Sequence, residues 1–84
     1  MSAPLSKLRV VELIWIDSVA PVDAWRDQDD VNKFRPTKVV TAGYLVSESK
    51  KHVAVASSVT AGGESGGVIV IPKFAIQKMR KKKK

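Results

Sequence analysis

The chain has 84 residues, no cysteine and one histidine, and its formal net charge is +7 at pH 7. This length allows a single domain with a small core, because short chains bury a smaller share of their surface than long ones. Without cysteine there are no disulfides or thiolate metal sites, and one histidine leaves few ligands for zinc.

The positive charge is concentrated at the end of the chain. Five of the charges belong to residues 80–84, which leaves +2 for residues 1–79. A terminal basic run is typically a solvated tail, so the net charge alone does not establish a nucleic-acid partner. We therefore predict one domain over residues 1–79 and a basic tail over residues 80–84.

Nothing in the sequence predicts a membrane segment. The N-terminal residues lack a charged segment followed by an apolar run, and the longest apolar run, residues 13–16, is too short to cross a bilayer. We expect a cytoplasmic protein with no membrane partner.

The first half of the chain predicts a strand and then a short helix. Residues 8–17 are rich in Val, Ile and Trp, and apolar side chains occur at both odd- and even-numbered positions. This pattern indicates a strand covered on both faces. In residues 21–34, Pro21 precedes early aspartates and a late lysine, which favours a helix. Val22, Trp25 and Phe34 would then face the core. The aspartates at 27, 29 and 30 lack the glycine-containing loop of a calcium site and are expected on a solvated helix face.

The second half predicts four more strands. Residues 37–49 contain Gly43 in mid-strand, where a missing side chain permits a bend or a close backbone approach. A polar turn leads to an apolar return strand, residues 52–59, and the glycine-rich residues 61–67 predict a flexible loop. Residues 68–71 are continuously apolar, so both faces should be covered, and residues 73–75 lead to a last strand, residues 76–79. This order predicts a mainly β fold, a small bent barrel with one helix between its first two strands.

No motif indicates an enzyme. Residues 63–67 (GESGG) differ by one residue from the GDSGG around the nucleophile of chymotrypsin-like proteases. That fold needs two barrels and a positioned His and Asp, whereas this chain has the length of one barrel. The loop also lacks the ending of a phosphate-binding loop. With no paired acid and base, metal cluster or cofactor loop, we predict a non-enzymatic protein without cofactor or metal.

Four side chains are candidate contacts for nucleic acid. Trp15 and Trp25 could stack on bases, but packing is their expected role in so small a core. His52, at the start of a strand, is expected at the surface or rim. Lys73 is more informative, because it lies in a constrained turn between two strands.

Two segments together resemble the Sm-like family, in particular its bacterial RNA-chaperone branch, Hfq. Residues 43–47 (GYLVS) and the strand that ends at Val59 resemble the family's bent hairpin, and residues 71–76 (IPKFAI) resemble its closing Tyr-Lys-His-Ala-Ile motif. The resemblance covers about half of the chain and implies a five-stranded, strongly bent SH3-like/Sm-like barrel. Pro72 and Phe74 replace the family's Tyr and His, and the helix follows the first strand instead of preceding it. In these two respects the chain looks more like the small Sm-like proteins that tailed phages encode. A phage origin would place the protein in the host cytoplasm.

The resemblance also implies partners. The family forms cyclic homo-oligomers in which the fourth strand of one subunit pairs with the fifth of the next, around a pore whose rim binds single-stranded RNA. The implied oligomer interface consists of apolar residues, namely Val68, Ile69, Val70, Ile71 and Ile76. The implied contacts to RNA or single-stranded nucleic acid, made by backbone electrostatics, are Lys73, Phe74, Lys51, Arg80 and Lys81. The alternative is a non-catalytic protein-interaction or structural module, whose barrel edges and glycine loop engage a protein partner.

Overall fold

Strands dominate the computed structural model, which describes residues 8–20 and 25–82. The elements in chain order are β1 (Arg9–Asp17), α1 (Gln28–Lys33), β2 (Thr37–Glu48), β3 (His52–Ala56), β4 (Ser58–Val59), β5 (Ser65–Gly66), β6 (Ile69–Pro72), a 3₁₀ turn (Lys73–Ala75) and β7 (Ile76–Lys82). The prediction of a mainly β protein is confirmed.

Five of the strands form one antiparallel sheet in the order β6-β3-β2-β1-β7, and β4 pairs with β5 in a separate ribbon. Consecutive strands from β1 to β3 are neighbours, β6 continues the sheet, and β7 returns to pair with β1. Strands β6 and β7 are the two edges and do not pair with each other. In the part of the chain that the structure describes, the sheet is therefore open, and the predicted closure into a barrel is not observed.

Most of the core lies on one face of this sheet, although β3 also buries Ala54 and Ala56 at the alternate positions. Its central cluster comes from β1, β3 and β6 and consists of Val11, Leu13, Trp15, Val53, Val55 and Ile71. Alternate residues of β1 point into it, as the two-residue period of a strand requires. The Nε1 of Trp15 donates a hydrogen bond to Thr41 Oγ1 at 2.9 Å, so the buried indole keeps a polar partner. The expected packing role of Trp15 is confirmed.

Gly43 pairs with Val11 of β1 and comes directly before Tyr44, where the pairing of β2 with β3 begins. A Cβ at this position would lie 2.5 Å from the carbonyl oxygen of Ala56 and 2.8 Å from Val55 Cγ1. Only glycine permits so close an approach of the two strands. The register of β2 against β3 shifts a little later, between Leu45 and Ser47. The predicted close approach is confirmed, while the irregularity in pairing lies beyond the glycine.

The helix between β1 and β2 is much shorter than predicted. α1 covers six residues, Gln28–Lys33, and none of them is buried. The start of the predicted helix, including Pro21 and Val22, lies outside the described residues. Trp25 is 92% exposed and Phe34 is 37% exposed, so the prediction that they face the core is wrong. Phe34 instead lies beside Arg26, whose guanidinium carbon is 4.9 Å from the centre of the Phe34 ring. Within the described ranges, no helix combines the length and the apolar character that crossing a membrane requires.

The glycine-rich segment is a hydrogen-bonded ribbon instead of a flexible loop. The backbone nitrogen of Ser57 donates to the carbonyl of Gly66 at 3.1 Å, and that of Thr60 donates to Glu64 at 2.8 Å. Gly63, between the two strands, has a φ of +93°, a conformation that favours glycine. The glycines therefore shape a tight return between β4 and β5.

Strand β7 extends into the predicted tail. Glu12 pairs with Arg80, Val11 with Lys81 and Val10 with Lys82. The predicted boundary after Met79 thus falls inside a strand, and three of the five terminal basic residues belong to the sheet. A run of charged residues carries no apolar alternation, so the sequence pattern did not indicate this strand.

Candidate functional site

Two turns meet at one end of the sheet. The first joins β2 to β3, and the second is the 3₁₀ turn between β6 and β7. Since β3 and β6 pair with His52 opposite Pro72, both turns lie at the same end. The backbone nitrogen of Lys73 donates to the carbonyl of Lys51 at 2.8 Å, which joins the two turns directly. Ser49 Oγ accepts from the backbone nitrogens of Lys51 and His52, each at 3.2 Å, and so fixes the first turn.

The joined turns enclose an open groove of about 550 Å³, which we call the basic groove. Its lining consists of Lys50, Lys51, His52, Val70, Pro72, Lys73 and Phe74. The Phe74 side chain is 93% exposed and Val70 is 57% exposed, so the apolar part of the lining faces solvent. The groove therefore combines an accessible aromatic ring with three lysines and an imidazole.

One carboxylate controls the charge beside this groove. Glu48 Oε2 lies 2.9 Å from Lys73 Nζ, and Glu48 Oε1 lies 3.3 Å from Lys81 Nζ. The hydrogen bonds from Lys73 and then from Lys81 hold the pKa of Glu48 below its usual range. The carboxylate is thus a stable anion that joins the end of β2, the 3₁₀ turn and β7.

The predicted nucleic-acid contacts divide into two groups. Lys51, Lys73 and Phe74 line the basic groove, and Lys81 reaches its edge through Glu48. Arg80 does not join them. It pairs with Glu12, whose neighbours along β1 point into the core, so Arg80 projects from the opposite face of the sheet.

Three residues of the site are not among the contacts that the sequence predicts. Lys50 and His52 line the groove beside Lys51, and their adjacency in the sequence was an available signal. Glu48 pairs with lysines that lie 25 and 33 residues away in the chain. No local pattern indicates such a contact.

The predicted oligomer interface also divides. Ile69 and Val70 of the edge strand β6 are exposed, as is Val68 just before it. Ile71 is completely buried and Ile76 packs against the core cluster. Within the chain, the first three side chains are therefore accessible to a partner, whereas that of Ile71 is not.

Comparison with protein-family models, with curated proteins and with solved structures gave no match. What the groove binds is therefore inferred from its own residues.

Proposed function

We propose that this protein is a non-enzymatic, Sm-like protein that binds RNA or another single-stranded nucleic acid in the basic groove. The observation that carries the proposal is the position of Phe74, whose ring is almost fully exposed among three lysines. Proteins that bind single strands combine aromatic side chains, on which bases stack, with cations that follow the phosphates. A ring left open to water in this setting has no packing role in the chain.

The binding would depend little on base sequence. Lysine ammonium groups are suited to phosphate contacts, which position a strand without identifying its bases. Apart from the lysines, His52 is the one side chain of the groove lining with polar atoms. Stacking on Phe74 accepts any base, because every base has a π face.

The Sm-like part of the proposal is supported by the sheet. Strands β6 and β7 are opposite edges of the sheet, yet a turn of three residues joins them, so the edges are close together at that end, as a small bent barrel requires. The close contact at Gly43 allows β2 and β3 to bend together.

A cyclic homo-oligomer would cover both edges of the sheet. The edge strand β6 exposes Ile69 and Val70, Val68 just before it is also exposed, and free apolar edges invite pairing with another chain. Pairing of β6 with β7 of a second copy, repeated around a ring, leaves neither edge free. Light scattering should then give a multiple of the 9.2 kDa subunit mass, with one discrete value.

The direct test removes two lysines from the groove. We expect Lys50→Gln/Lys51→Gln to weaken binding of a fluorescent oligouridylate, measured by anisotropy at a series of salt concentrations. Each phosphate neutralised in a single strand contributes about 0.7 to the slope of log affinity against log salt, so the slope should fall by about 1.4.

The matched control is Lys33→Gln/Lys38→Gln, which removes the same charge from exposed sites outside the groove. This variant should keep the wild-type slope. Equal losses in both variants would show that only the net charge matters, and a wild-type protein that fails to bind would overturn the proposal.

A second candidate function is a protein-interaction module. The segment around α1 favours it, because Trp25, Val31 and Phe34 leave apolar surface exposed there. This candidate predicts that Trp25→Ala alters the state of assembly seen by light scattering. It also predicts that neither that variant nor the wild type binds the oligouridylate.

A further inference from the structure

Two kinds of lysine lie in the basic groove and at its edge. Lys50 and Lys51 form no ion pair within residues 8–20 and 25–82, so their charges are available to a ligand. Lys73 and Lys81 are both bound to Glu48, at 2.9 and 3.3 Å. An anion that approaches Lys73 therefore meets an ammonium group that already has a carboxylate partner.

Glu48 occupies the place that a phosphate would take. Its two oxygens each face one ammonium group, much as two oxygens of a phosphodiester would. All three side chains are partly exposed, with 29% of the glutamate side chain open to solvent, so the carboxylate can rotate away. Exposed ion pairs of this kind are weak and exchange partners readily.

We propose that Glu48 is a specificity-determining residue that competes with the phosphates of a bound strand for Lys73 and Lys81. This inference rests on the proposed function. A strand is first held by Lys50, Lys51 and Phe74, which raises the local concentration of its next phosphate beside Lys73. That phosphate then displaces the carboxylate.

The competition favours a polymer over a single nucleotide. A free nucleotide has no second attachment to raise its local concentration, so it must displace a carboxylate that holds two ammonium groups at once. Glu48 thus lowers the affinity for every anion, but most of all for small ones.

The test replaces the carboxylate with its neutral isostere. We expect Glu48→Gln to tighten binding of the oligouridylate about two- to fivefold, the range that corresponds to one exposed ion pair. The salt slope should stay at the wild-type value, because the same phosphates meet lysines in both chains and only the competing carboxylate is lost. Binding of uridine monophosphate should improve by at least as large a factor.

The matched control is Glu12→Gln. Glu12 also pairs with a lysine, Lys82 at 3.9 Å, but on the opposite face of the sheet. This variant makes the same change in net charge and should leave both affinities at the wild-type values. If both variants tighten binding equally, or if Glu48→Gln binds as weakly as the wild type, Glu48 is not a competitor.

A measurement on the unaltered protein provides a second test. Carbon-detected NMR of the Glu48 carboxyl should show its pKa rising toward the ordinary value when oligouridylate saturates the protein, because the lysines change partner. An unchanged pKa would overturn the inference. The two proposals can fail separately. If the wild type binds oligouridylate, Lys50→Gln/Lys51→Gln binds it more weakly and Glu48→Gln binds it no more tightly, the inference about Glu48 is wrong and the proposed function stands.

Discussion

Replacing Gly43 by alanine should destabilise the fold more than any other glycine-to-alanine change in a strand. The new methyl group would lie 2.5 Å from a backbone oxygen of β3 and 2.8 Å from Val55 Cγ1, so the strands must move apart. Forcing one extra carbon into a packed site costs about 1–3 kcal/mol. For a domain of this size, each kcal/mol lowers Tm by about 4–8 °C.

The assay is urea and thermal unfolding, followed by far-UV circular dichroism at one fixed protein concentration. Gly66→Ala is the control, because Gly66 also lies in a strand but a Cβ there has nothing within 4 Å. Its loss of unfolded-state entropy should make the control neutral or slightly stabilising. Equal unfolding midpoints for the two variants would refute the close approach of β2 and β3.

Two further predictions test the core and the groove separately. Ile71→Ala should cost about 2–5 kcal/mol in unfolding experiments, because the side chain is fully buried, whereas Ile69→Ala on the same strand should cost less than half as much. Phe74→Ala should weaken oligouridylate binding about fivefold to 100-fold in anisotropy titrations, since one stacked base contributes about 1–3 kcal/mol. Trp25→Ala, which removes an equally exposed ring elsewhere, should have no such effect, and the opposite ranking would place the stacking site near α1.

The strands could be predicted where local sequence determines them. The Val, Ile and Trp residues of β1 and the glycine in β2 carry the information within a few residues, and both strands lie where the sequence predicts them. The last strand could not be delimited in this way. Residues 80–82 are all basic, and their strand conformation depends on pairing with β1, about 70 residues earlier.

The helix was overestimated for a related reason. Proline, early acids and a late lysine favour a helix locally, but no buried face supports it, and within the described residues 25–34 only Gln28–Lys33 adopts it. Without such a face, Trp25 remains in solvent.

Part of the site followed from the sequence and part did not. The resemblance at residues 71–76 directed attention to Lys73 and Phe74, and both line the groove. The sequence could not show that Lys73 shares Glu48 with Lys81, because that contact depends on the relative placement of three elements. Among the described residues of the basic C-terminal run, Lys81 lies at the edge of the groove and Arg80 projects from the other face of the sheet.

The most direct test of the central claim is an NMR titration of the full chain with oligouridylate. We predict that the largest amide shift changes occur at residues 50–52 and 70–74, the two segments that line the basic groove. Changes centred on Lys78, Arg80 and Lys82, or no changes at all, would contradict the assignment of the groove as the nucleic-acid site.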